Sequence, residues 1–117
     1  MKKYSSWYPL NEEGLEASSL EGEAAVQVRR QRGLLDYGHG KSAMVWYGYF
    51  QKNSRRRLQE VFQDEWDQPG IRGQGPLVFR YYSGEDAEES MVRRARQFAK
   101  RFGGPPLFHR STTNTEI

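Results

Sequence analysis

The sequence predicts an α+β domain: a small antiparallel sheet of three or four strands, with one long C-terminal amphipathic helix packed on one face. Three observations carry that expectation. Residues 24–32, 43–51 and 77–82 are rich in β-branched or aromatic side chains, the composition a pleated, half-buried surface favours. Gly- and Pro-bearing stretches punctuate the chain around them. Residues 87–102 then take up helical periodicity: Ala87, Met91, Ala95, Phe98, Ala99 and Phe102 fall on one arc at about 100° per residue.

Residues 1–23 mix Ser, Gly and Glu behind an aromatic patch of Tyr4, Trp7 and Tyr8. They read as a flexible acidic leader, the patch docking on the body or on a partner. A single domain is expected over 24–104, with a mostly extended tail at 105–117. Within it, Ala24, Val26 and Val28 alternate with Gln27 and Arg29, a half-buried strand. A turn at Gly38–Lys41 leads to the strand at 43–51, and Asn53-Ser54 suits a tight hairpin.

Residues 55–66 fit two structures. Leu58, Val61, Phe62 and Trp66 stand at helical spacing. Across an Asn53-Ser54 turn, the same residues pair as a hairpin, with Tyr49 opposite Leu58 and Trp46 opposite Val61. Arg55, Arg56 and Arg57 at a helix N-terminus would oppose its dipole, which favours the strand. A Gly/Pro loop follows at 67–76, then the strand in which Leu77, Phe79 and Tyr81 alternate with Val78, Arg80 and Tyr82. The last helix opens on a capping-box pattern, Ser83-Gly84-Glu85-Asp86, and stops at Gly103-Gly104-Pro105-Pro106.

The opening of YGHGKSAMVWYGYF at 37–50 ends like the phosphate-binding loop of a nucleotide hydrolase. That loop needs a Gly where Leu35 stands, and it must open a helix. Ser42 instead precedes a strand, so a turn with Lys41 in solvent is expected. His39 and His109 lack metal-ligand spacing. Glu60, Asp64 and Glu65 form the one carboxylate cluster inside a core element, but a strand would split them between two faces, and they read as partners of Arg55–Arg57. Trp66 is followed by Asp67-Gln68 rather than the Gly-Arg of the WGR nucleic-acid-binding domain, and no family is assigned. No catalytic residue, metal or cofactor is expected.

The chain has no cysteine, which removes disulfides and thiolate chemistry and fits a reducing, cytoplasmic setting. No apolar run reaches the about 20 residues of a membrane span. The charge is uneven. Residues 1–27 carry Lys2 and Lys3 against five glutamates, a balance of −3. Residues 28–110 carry sixteen Lys and Arg against nine Asp and Glu, a balance of +7. Thirteen of the eighteen cations are Arg, whose fork suits phosphate.

A nucleic-acid-binding protein, DNA or RNA, is therefore expected. Arg93, Arg94, Arg96, Lys100 and Arg101 fall opposite the apolar arc of the last helix, and Arg55, Arg56, Arg57 and Arg72 add charge from loops. One helix covers one sheet face, so rings such as Tyr47, Tyr49, Tyr81 and Tyr82 are expected to include exposed ones that stack bases. The alternative is a protein-interaction module, a small inhibitor or assembly subunit (or a homodimer), that meets its partner with the aromatic face and the leader.

Overall fold

A computed structural model describes residues 4–65 and 76–104 of the chain. The elements are β1 (Tyr8–Pro9), α1 (Glu12–Ala17), β2 (Ala24–Arg30), β3 (Leu35–Asp36), β4 (Lys41–Ser42), β5 (Met44–Phe50), α2 (Ser54–Glu65), β6 (Leu77–Tyr82) and α3 (Ala87–Phe102). Four strands form an antiparallel sheet in the order β1-β6-β2-β5, and β3 and β4 form a separate hairpin. The expected α+β class, antiparallel sheet and long C-terminal helix are all present.

β2 lies between two partners, with Val28 opposite Trp46 on β5 and Phe79 on β6. A central strand covered on both faces needs no polar side, and Ala24 to Val28 are all buried. One face gathers Val26, Val28, Trp46 and Phe79 with Leu10, Leu15, Leu20 and Leu58. The other packs Ala25, Tyr49 and Tyr82 against Ala87 and Met91 of α3.

The N-terminal residues depart from the expected flexible leader. Ser5 N donates to Tyr81 O at 2.8 Å, and Tyr8 pairs with Phe79, which extends the sheet beyond β6. Asn11 caps α1 by accepting from Gly14 N at 2.7 Å, and Glu12 and Glu13 sit where the helix dipole favours acids. Leu10, Leu15 and Leu20 are at most 4% exposed; each is worth about 1.5–3 kcal/mol of burial. Isolated leucines five residues apart show neither strand nor helix period, so the Ser, Gly and Glu around them dominate the sequence reading.

Residues 54–65 are helical, which corrects the expected strand and the Asn53-Ser54 hairpin. Asn53 takes a left-handed φ of 55°, Ser54 N donates to Gly22 O at 3.2 Å, and Leu58 is fully buried. The arginines do not simply face the dipole. Arg55 reaches the Ser18 and Leu20 carbonyls, both at 3.3 Å, just beyond α1. Arg56 pairs with Glu60 one turn on at 3.1 Å.

α3 ends as expected, on Gly103 at φ 81° with its N–H bonded to Ala99 O. Its start differs from the expected capping box. Asp86 makes no side-chain cap bond; its carboxylate accepts from the Tyr82 hydroxyl at 2.6 Å instead. Gly40-Lys41-Ser42 runs into the β3–β4 hairpin, closed by Tyr37 N donating to Gly40 O at 2.8 Å, with Lys41 exposed. A phosphate loop opening a helix is absent there. Among the described residues no helix is long and apolar enough to cross a membrane. The expected 67–76 loop (apart from Pro76), the 105–117 tail, Arg72 and Trp66 lie outside the described residues.

Candidate nucleic-acid interface

The apolar arc of α3 fixes which of its cations face water. With Ala87 and Phe98 buried against the sheet, Arg93, Arg96, Lys100 and Arg101 are exposed. Lys100 and Arg101 also lie in the last turn, where the dipole favours cations. No ion pair forms between these four and any described carboxylate. Arg94 differs: it is half-buried, 4.7 Å from the Tyr4 ring centroid.

A groove of about 340 Å³ runs between the C-terminal half of α3 and the start of β5, bordered by Lys41, Ser42, Tyr47, Arg94, Phe98 and Arg101. Among the described residues no carboxylate lines it. Phe98 anchors its floor, edge-on to Tyr37 at 5.0 Å and to Tyr47 at 5.8 Å. Burial raises the pKa of the Tyr47 phenol, while Arg94 and Arg80 pull it down.

Beside the groove, on the same sheet face, Arg29 and Arg80 lie 4.1 and 4.7 Å from the Trp7 ring centroid. Arg80 also lies 5.0 Å from the Tyr4 centroid. Its Nε donates to Gln27 Oε1 at 2.9 Å, across the β2–β6 pairing that sets Gln27 opposite Arg80. Burial lowers the Arg80 pKa, and the like charges of Arg94 and Arg29 push the same way.

The other sequence-derived residues are placed elsewhere. Arg55, Arg56 and Arg57 open α2, whose Leu58 belongs to the opposite sheet face from α3, so the two basic groups do not form one surface. Arg55 is engaged with backbone carbonyls, Arg56 with Glu60, and Arg57 lies 6.0 Å from the Phe50 ring centroid. None of the four tyrosines is an open platform. Tyr49 is buried and its hydroxyl donates to Glu23. Tyr47, Tyr81 and Tyr82 are half-buried; Tyr81 stacks on Tyr8 at 6.4 Å and accepts from Ser19 N, and Tyr82 packs on Tyr4 at 5.6 Å. Tyr49 and Tyr82 pack on the face that α3 covers, and Tyr81 lies on the other face, where α1, α2 and the N-terminal segment add a covering layer.

Arg29, Arg80, Gln27, Trp7, Tyr4 and Lys41 join the site without having been singled out as site residues. The available signal was period two: Gln27, Arg29 and Arg80 all interrupt strands central enough to be apolar on both sides. No protein-family model, curated protein or solved structure matches the chain, so the chemistry of this surface stands on its own residues.

Proposed function

We propose that the chain is a nucleic-acid-binding protein that acts by holding phosphates rather than by catalysis. Arg93, Arg96, Lys100 and Arg101 on α3 supply the outer contacts, and Lys41 and Arg94 continue them into the groove. The observation that carries this reading is that these cations form no ion pair with a described carboxylate, although Glu89 borders the same helix surface as Arg93, Arg96 and Lys100, and that no described acid lines the groove of Lys41, Arg94 and Arg101. The interaction-module alternative relies on exposed rings, and the contacts of Tyr49, Tyr81 and Tyr82 with other parts of the chain favour the phosphate reading over it.

The test is a fluorescence-anisotropy titration of labelled oligonucleotide at low salt, repeated as salt rises. Phosphate neutralisation makes log K fall linearly with log salt, with a slope of about −0.7 to −0.9 per phosphate contact. Absence of binding at low salt, or binding indifferent to salt, contradicts the proposal.

A further inference from the structure

Arg29 of β2, Arg80 of β6 and Arg94 of α3 are half-buried and joined through two rings of the N-terminal segment. The order Arg29, Trp7, Arg80, Tyr4, Arg94 forms one continuous ladder, each guanidinium 4.1 to 5.0 Å from a neighbouring ring centroid. A guanidinium over a ring uses its face for that contact and keeps its in-plane N–H groups for hydrogen bonds. Few acceptors meet those groups here. Arg80 donates through Nε to Gln27, and no described carboxylate pairs with any of the three. Gln27 is only 2% exposed, and its Nε2 has no hydrogen-bond partner among the described residues. Gln27 Nε2 is thus a buried donor without a described acceptor, beside three half-buried guanidiniums that no described carboxylate neutralises.

We infer that this ladder is a binding site for single-stranded nucleic acid, in which the guanidinium edges take backbone phosphates and unpaired bases stack beside Trp7 and Tyr4. The inference rests on the nucleic-acid reading above and narrows it. Phosphate suits the donors because a guanidinium grips it with two parallel N–H bonds. The rings decide the strand state: a duplex hides its base faces in its own stack, whereas a single strand offers them to aromatic side chains. An acidic peptide would satisfy the guanidiniums but bring no planar group to stack beside them. Arg94 belongs to both the ladder and the groove, so a strand leaving Tyr4 meets Tyr47, Lys41 and Arg101 next. Burial first, then the like charges of Arg94 and Arg29, lowers the Arg80 pKa, and a bound anion would oppose that shift.

The experiment compares the full chain with an Arg29→Met, Arg80→Met variant, which keeps apolar stems over the rings. The probes are labelled oligothymidylate, a duplex of equal length, and polyglutamate as competitor. The variant should lose about tenfold or more for oligothymidylate and several-fold less than that for the duplex. Unchanged oligothymidylate binding by a folded variant overturns the ladder site while leaving the α3 reading intact. Loss of both probes in equal measure overturns its single-strand character. Competition by polyglutamate as effective as by oligothymidylate of equal charge assigns the site to an acidic peptide instead. Wild-type chain that binds neither nucleic acid overturns both readings. Should the variant fail to fold, photocrosslinking of iodouracil-substituted oligonucleotide to the wild-type chain decides. Adducts on Trp7 or Tyr4 support the site, and adducts confined to α3 overturn it.

Discussion

The Tyr4 hydroxyl and Ser90 Oγ share a hydrogen bond of 3.0 Å across 86 positions of the chain. It ties the N-terminal segment to α3 at the point where Arg94 and Arg80 approach the Tyr4 ring. The segment therefore belongs to the folded body twice over, through this contact and through the leucines that follow it.

Leu20→Ala should cost about 2–5 kcal/mol in denaturant unfolding, the range for a fully buried leucine. A loss below about 1 kcal/mol would mean that residues 4–23 contribute little to the core and behave as a detachable leader.

Gly48→Ala should destabilise by about 1–3 kcal/mol through overpacking, although alanine normally suits a strand interior better than glycine. A Cβ at Gly48 would run into the indole of Trp46, which has no room to move because it is fully buried. A gain in melting temperature would show that the indole can shift.

Alkaline stability should report on Tyr49. Burial first, then its hydrogen bond to Glu23, pushes its phenol from 10.0 up to about 12. The folded chain therefore holds this proton more tightly than the unfolded chain. Its contribution is complete below pH 10 and is lost as pH rises towards about 12. Tyr49→Phe should make the fall in stability over that window shallower; an unchanged slope would rule Tyr49 out as its source.

Arg55→Ala should lower stability by about 1–2 kcal/mol, because the carbonyls of Ser18 and Leu20 lose their donor. Oligonucleotide affinity should change less than about twofold, since α2 lies across the sheet from α3. A binding loss without a stability loss would return Arg55 to the interface.

α3 was legible because its apolar residues recur over four turns and an αL glycine ends it. The strands were legible from their side chains, but their burial on both faces was not, since the covering layer came from leucines without a period. α2 was undecided because Leu58 and Val61 fit either structure; the contact that settles it, Ser54 N to Gly22 O, is non-local. At the site, the outward cations of α3 followed from helical spacing. The ladder did not, because Arg29 and Arg80 become neighbours only when β2 and β6 pair around Gln27, and their rings arrive from a segment read as leader.

The most direct measurement is the oligonucleotide affinity of a chain carrying Arg93→Glu, Arg96→Glu and Lys100→Glu. All three side chains are exposed on α3, so the circular-dichroism spectrum and melting temperature should stay close to wild type. Affinity at low salt should fall by about a hundredfold or more, and the salt slope should flatten. A folded triple variant that binds as tightly as wild type, with the same slope, would contradict the phosphate-holding role of α3.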